Sequence, residues 1–239
     1  MSVPVAILAG GLATRLRPMT EKIPKSLVEV AGRPFVDHQL ALLRSQGYTH
    51  VVLCLGYLGE MVERYVGDGT RYGMQIAYST DWPKLLGTGG ALRQALPRLG
   101  ASFFVLNGDS YLPCDFKRVE EAFNASRMSA LMTVFKNDDR WDRSNAVYRE
   151  GKVLRYDKQN RSADMHYIDY GLVALRAELL EPREQSVAFD LAEVLTPLAA
   201  EGRLAGLEVD ERFYEVGSPA GLAEADRYLR QHSALASTR

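Results

Sequence analysis

The chain is 239 residues long and 46% hydrophobic, enough to bury one substantial core. Its 29 basic and 30 acidic residues leave a formal net charge of -1, which argues against a nucleic-acid partner or an anionic membrane surface, so any anion site must be built locally. The N-terminus has no basic segment followed by an apolar run and a cleavage site, and no stretch approaches the ~20 apolar residues of a membrane span, which predicts a cytoplasmic protein.

Val3 to Ala9 is a nearly continuous apolar run closing on Gly10-Gly11, the pattern of a strand buried on both faces of a parallel sheet. Phe35 to Ser45 carries Phe35, Val36, Leu40 and Leu43 at helical spacing, with Gly47 placed to stop the helix. A second buried run, Val51 to Leu55, a helix over Tyr57 to Val66 and a strand over Phe103 to Leu106 complete a strand-helix-strand pattern. Beyond it, Ala130 to Phe135, Asn145 to Tyr148, Val153 to Tyr156 and Tyr167 to Ala174 are strands with few helices between them, which predicts an antiparallel or mixed extension. Two helices close the chain: Leu191 to Glu201, capped by Asp190, and Ser218 to His232, with Ser218 as N-cap and Pro219 in the first turn; Ala234 to Arg239 is expected to fray. No linker or repeat divides residues 1–239, so the reading is one α/β domain with an open, mostly parallel, Rossmann-like mixed sheet flanked by helices. Cys54 and Cys114 fall in or near strands and read as reduced thiols.

The chemistry concentrates between Leu8 and Lys25, in the string L-A-G-G-L-A-T-R-L-R-P-M-T-E-K-I-P-K. It follows the first strand directly. Without Cβ atoms at Gly10 and Gly11, a phosphate can approach the backbone N–H groups of Leu8, Ala9, Gly10 and Gly11. Thr14 adds a hydroxyl donor, while Arg15 and Lys25 supply fixed positive charge, one as a planar fork and the other as a point charge. The string is neither G-x-x-x-x-G-K-[ST] nor G-x-G-x-x-G, which disfavours P-loop nucleotidases and dinucleotide-binding dehydrogenases. Asp109, after Phe103 to Leu106, belongs at the carboxyl edge of the sheet, where ligands of such folds bind, and reads as a metal position.

As a whole the string resembles the signature G-x-G-T-R-x-x-P-x-T-…-P-K of the sugar 1-phosphate nucleotidyltransferases, and most of all the bacterial heptose 1-phosphate guanylyltransferases. Ala13 departs from it, standing where glycine is more usual. The resemblance runs to Gly217 and implies a nucleotide-diphospho-sugar transferase (GT-A-like) fold. It also implies a nucleoside triphosphate and a sugar 1-phosphate as substrates, Mg²⁺ as cofactor, and relatives that assemble as dimers or tetramers, which allows a homo-oligomer. By the same resemblance Gly87 and Thr88, in L-G-T-G-G-A, lie along the nucleobase and ribose, with Trp82 and the residues before Gly87 nearest the base. Glu215, where aspartate is usual, completes the magnesium site with Asp109. Lys158 binds the sugar phosphate, Asp157 accepts from a sugar hydroxyl, and Tyr170 and Gly171 line the sugar pocket. Asn145 is a further sugar-contact candidate.

The reaction implied needs no strong base, because a sugar phosphate is already ionised at neutral pH. Arg15, Lys25, Asp109 and Lys158 would act by positioning and by neutralising charge. GTP with a manno-heptose 1-phosphate is favoured by resemblance, and UTP or CTP with a hexose 1-phosphate fits the same motifs. A catalytically silent subunit that binds an NDP-sugar is the alternative from another class. A glycosyltransferase would more typically carry a D-x-D motif, which Asn107-Gly108-Asp109 does not supply.

Overall fold

The first apolar run forms β1 (Val5–Ala9), and alternation along it explains the layers. Val5 and Ile7 point to one face of a sheet, where they pack with Val36, Leu40, Val62, Phe116 and Val119; Ala6 points to the other, with Leu92, Ala95, Val194 and Leu198. The computed structural model describes residues 2–236. After β1 come a short ribbon of β2 (Glu29–Val30) and β3 (Arg33–Pro34), α1 (Phe35–Ser45), β4 (His50–Leu55), α2 (Gly59–Val66), β5 (Gln75–Thr80), α3 (Gly87–Ala95) and β6 (Ser102–Asn107). Then follow β7 (Ser110–Tyr111), α4 (Phe116–Ser126), β8 (Ala130–Lys136), β9 (Ala146–Arg149), β10 (Lys152–Tyr156) and β11 (Tyr167–Arg176). The chain closes with α5 (Ala192–Ala200), β12 (Ala205–Val209), β13 (Tyr214–Glu215) and α6 (Pro219–Ala236).

The nine-stranded sheet has the order β5-β4-β1-β6-β11-β8-β12-β10-β9. Its first four strands are parallel, and β11 and β10 run against their neighbours. The result is the mixed α/β architecture read from the sequence. α6 covers the β2–β3 ribbon through Ala225 and Leu229, which pack with Val30, Phe35 and Val216.

Besides the two-residue strands β2, β3, β7 and β13, three longer elements escaped the sequence reading. β5 is an edge strand whose residues are mostly half-buried, so Gln75–Thr80 presents no apolar run. α4 starts at a side-chain cap, Asp115 accepting from the N–H groups of Lys117 and Arg118 at 2.9 and 3.2 Å, a local signal that the hydrophobic pattern alone does not register. β12 is only Ala205–Val209 and pairs parallel to β8. Ser218 caps α6 as expected, accepting from Gly221 N–H at 3.1 Å, whereas α5 starts one residue later than expected, with Leu191 at its N-cap and no side-chain cap, and Asp190 accepts from Ala192 N–H at 2.7 Å just ahead of it. Cys54 and Cys114 are free and buried. α6 reaches Ala236, inside the stretch expected to fray, and 237–239 lie outside the described residues. Among the described residues no helix is long and apolar enough to cross a membrane.

Candidate active site

Parallel strands joined by crossovers deliver their following loops to one edge of the sheet. A cavity of about 520 Å³ opens there, walled by Leu8 to Gly11 at the end of β1, Cys54 of β4, Asp81 after β5, and Asn107 to Asp109 at the end of β6. Leu85, Gly87, Thr88 and Ala91 close the side toward α3, and Arg15, Lys25, Ser26, Asp142, Lys158 and Glu215 complete the wall. Gly108 lets the loop after β6 lie against β1, since a Cβ there would stand 2.5 Å from the Leu8 carbonyl oxygen. At Gly11 a Cβ would meet no protein atom within 4 Å. Packing does not require glycine at that position, and its absence of a side chain keeps the loop backbone accessible from the cavity.

Charges of both signs meet in this space. Lys25 Nζ donates to Asp109 Oδ2 at 2.9 Å, and both side chains are largely shielded. Asp109 is held by its neighbours: the Gln39 amide of α1 donates to the carbonyls of Asn107 and Ser110 at 3.1 and 2.9 Å, and Val216 N–H donates to the Asp109 carbonyl at 2.8 Å. The antiparallel pairing of β13 with β7 sets Glu215 opposite Ser110, one residue from Asp109. Burial pushes the Glu215 carboxyl up to about 7; repulsion from Asp109 and Asp142 adds to this, while Arg15 and Lys25 oppose it. Gly217 is where the guanidinium of Arg15 comes close, since a Cβ there would lie 3.1 Å from an Arg15 terminal nitrogen and 3.7 Å from Asp109 Oδ2. Lys158 Nζ donates to Asp190 Oδ1 at 3.2 Å, and this pair is about half exposed.

The residues expected from the sequence divide into two groups. Leu8, Ala9, Gly10, Gly11, Arg15, Lys25, Gly87, Thr88, Asp109, Lys158 and Glu215 all face the one cavity. Thr14 is exposed at the start of a 3-10 turn outside its wall. Asp157 caps its own turn, accepting from the N–H groups of Gln159 and Asn160 at 2.8 Å each. Asn145 Oδ1 accepts from Asp169 N–H at 2.9 Å and so ties the start of β9 to β11. The Tyr170 side chain is buried against Phe135 and Phe213, and Gly171 sits at φ +97° where the β11 register shifts. Trp82 is exposed beside Tyr57, with ring centroids 5.4 Å apart. The glycines of α3 have a packing role of their own. Gly89 and Gly90 donate to the Phe189 carbonyl at 3.0 and 3.3 Å, and a Cβ on Gly89 would overlap the Phe189 ring.

Sequence reasoning missed Asp81 and Asp142. Asp81 follows β5 as Asp109 follows β6, and reading that edge strand is the signal that finds it. Asp142 lies in an irregular loop between β8 and β9 and carries no local signal.

Comparison with known proteins shows what the chain is similar to. Residues 5–151 match the nucleotidyl transferase family. The chain is 31% identical over 222 residues to N-acetylmuramate alpha-1-phosphate uridylyltransferase of Neisseria meningitidis, covering 92% of this chain and 95% of that one. It is 30% identical over 220 residues to mannose-1-phosphate guanyltransferase of Saccharomyces cerevisiae, covering 89% of this chain but only 61% of the yeast protein's length. Its fold is shared by HddC from Yersinia pseudotuberculosis complexed with GMP-PN, with a TM-score of 0.81, 24% identity and coverage of 95% and 100%. A glucose-1-phosphate thymidylyltransferase, assigned as putative, from Bacillus anthracis superposes with a TM-score of 0.85 at 20% identity, covering 96% of each chain.

Proposed function

Because this chain belongs to the nucleotidyl transferase family and is a sugar 1-phosphate nucleotidyltransferase, we propose that GTP and a manno-heptose 1-phosphate are its substrates. One observation supports the placement of the chemistry: the glycine loop, Arg15, Lys25, Asp109, Lys158 and Glu215 share a single cavity at the carboxyl edge of the sheet. A phosphate oxygen of the sugar attacks the α-phosphorus of the triphosphate, the bond to the β-phosphate breaks, and pyrophosphate departs. The obstacle is repulsion between two polyanions. Arg15 and Lys25 neutralise the triphosphate held on the glycine-loop backbone, and Lys158 brings the sugar phosphate into line.

Two carboxylates on one wall, with Glu215 raised partly by the charge of Asp109, suit a hard divalent cation. No group of three or more His, Cys, Asp or Glu side chains fit for a metal occurs among the described residues. Asp109 and Glu215 would therefore hold Mg²⁺ with phosphate oxygens and water completing its shell. The ion would supply charge neutralisation at the transferred phosphate. Lys25 would then exchange its contact with Asp109 for one with phosphate.

GTP rests on the resemblance of the Leu8 to Lys25 string and on guanyltransferases among the relatives. The meningococcal uridylyltransferase, matched over 95% of its length, favours UTP as a second reading. A matrix of four nucleoside triphosphates against heptose, mannose, glucose and N-acetylmuramate 1-phosphates, scored by pyrophosphate release, decides between them. Turnover confined to UTP would reject the GTP reading, and no turnover with any pair would leave the silent-subunit alternative.

A further inference from the structure

Two neighbours in the loop between β8 and β9 take different directions. Asp142 lies in the cavity wall, while Trp141 is half exposed and carries the Arg212 guanidinium on its ring, with Cζ 3.3 Å from the centroid. Arg212 comes from a distant part of the chain, three residues before Glu215. It is paired with Glu224 of α6, and its Cζ stands 5.0 Å from the ring of Tyr214, which stacks on Tyr228 of α6 at 3.9 Å between centroids. One end of this stack is therefore anchored on β13 and α6. The other end is a loop tied to itself: the buried Asn137 donates to the Asp142 carbonyl at 2.6 Å and to Ser144 Oγ at 3.1 Å, and accepts from Trp141 N–H at 3.2 Å. Trp141 and Asp142 thus move together.

Asp142 needs such a hold, because it and Glu215 are carboxylates facing one cavity and repel each other. Left to electrostatics alone, the loop would swing away from the wall. Arginine suits the task, since its planar cation stacks on an aromatic face while its edge keeps an ion pair. The fit has a cost. Arg212 Nε is closed to water and without an acceptor among the described residues, so the guanidinium is turned to serve Trp141 and Glu224 at the expense of its own hydrogen bonding. The pairing of Tyr156 with Ala146 brings Lys158, beyond β10, and Asp142, ahead of β9, to the same end of one hairpin. We infer that Arg212 is a positioning residue for the sugar 1-phosphate, because its stack on Trp141 fastens the β8–β9 loop to the strand that carries Glu215 and keeps Asp142 in the cavity wall. This rests on the cavity being the site of transfer. A carboxylate held there accepts from sugar hydroxyls and repels phosphate, which turns the phosphate toward Lys158.

The test is a double-mutant cycle of Arg212→Met and Asp142→Asn, each variant matched to wild type by circular dichroism. Steady-state pyrophosphate release with Mg²⁺, GTP and manno-heptose 1-phosphate is the readout. Arg212→Met should raise the sugar-phosphate KM ~10-fold, the scale of a misplaced positioning group, and leave the GTP KM within about twofold. Trp141→Ala, which removes the ring from the other side, should reproduce this, and Arg212→Lys, which keeps a cation over the indole, should recover most of the loss. In the Asp142→Asn background Arg212→Met should add no more than about twofold, because it acts through Asp142. Equal losses in both KM values, a loss that multiplies with that of Asp142→Asn, or an unchanged sugar-phosphate KM in Arg212→Met overturns the inference. A chain that releases no pyrophosphate from this pair rejects the proposed substrates alone, and the hold of Arg212 is then read with trypsin, which cuts after Arg140 and Arg143 on either side of Trp141 and Asp142. Cleavage there at least ~10-fold faster in Arg212→Met than in wild type supports the assignment, and equal rates overturn it.

Discussion

Lys25 and Lys158 line the same cavity, and each rests on a carboxylate. Their settings differ. The Lys25–Asp109 pair is 18% and 27% exposed, and the backbone at and around Asp109 is pinned by the Gln39 amide and the Val216 N–H, whereas the Lys158–Asp190 pair is 45% and 49% exposed at the head of α5. A shielded, pre-positioned charge acts on a ligand at low effective dielectric, and an exposed one is screened. If Lys25 serves the triphosphate and Lys158 the sugar phosphate, as proposed, the triphosphate side is built in advance, while the sugar side is finished by the substrate.

The largest expected effect follows from the shielded pair. Lys25→Ala removes the cation and leaves Asp109 without its partner, and kcat/KM should fall at least ~100-fold. Steady-state pyrophosphate release at saturating sugar phosphate measures it; a variant keeping a tenth of wild-type activity would dissolve the contrast between the two sides.

Next comes pH, through Glu215. Its carboxyl, raised to about 7 from an ordinary 4.5, is protonated below that value and becomes a metal-competent carboxylate above it. The Mg²⁺ concentration for half-maximal rate should therefore fall ~10-fold between pH 6 and pH 8, and Glu215→Gln should flatten this profile. The same shift makes ionised Glu215 a cost to the metal-free fold. The folded state holds the proton more tightly, so its contribution to stability declines as pH rises from about 4.5 through about 7. A metal requirement independent of pH would remove Glu215 from the ion site.

A smaller effect belongs to the exposed pair. Asp190→Ala should change the KM for sugar 1-phosphate less than ~3-fold and leave the nucleotide KM alone, since pairs of this exposure contribute little. A larger change would mean that the sugar side is as preorganised as the other. The segment after Val187 also packs on α3, with Leu191 N–H donating to Thr88 Oγ1 at 2.8 Å, so a shift in nucleotide KM would reveal coupling through it.

The same contrast governs what could be read from sequence. Gly10, Gly11 and Asp109 follow buried apolar strands, so strand position carries them to the sheet's carboxyl edge, and Arg15 and Lys25 belong to the motif that continues from β1. Asp81 follows the same rule, but its strand is an edge strand without an apolar run. On the sugar side the motif residues lie in or beside antiparallel strands, and nearby backbone groups compete for them: Asp157 is engaged by its own turn and Asn145 by β11. Hydrophobic periodicity locates the elements and says nothing of which neighbour takes a polar side chain. The packing of Phe189 across α3 was likewise invisible, because it joins residues a hundred positions apart.

The finest adjustment of the prebuilt side is at Ala13, where the signature that the loop resembles has glycine. Ala13 is left-handed at φ 48° and ψ 41°, and its carbonyl accepts from Thr20 Oγ1 at 2.7 Å. A Cβ in that conformation costs about 1–2 kcal/mol. Glycine relieves this but gives the unfolded chain more freedom, a loss of about 0.4–1 kcal/mol. Ala13→Gly should thus stabilise the protein by about 0.5–1 kcal/mol, seen as a higher urea midpoint at unchanged slope. Thr20→Val, which removes the hydroxyl that holds the turn, should act in the opposite direction by about 1 kcal/mol. If Ala13→Gly lowers the midpoint instead, restricted freedom of the loop outweighs its strain, and the preorganisation of the triphosphate side is then maintained by Ala13 itself.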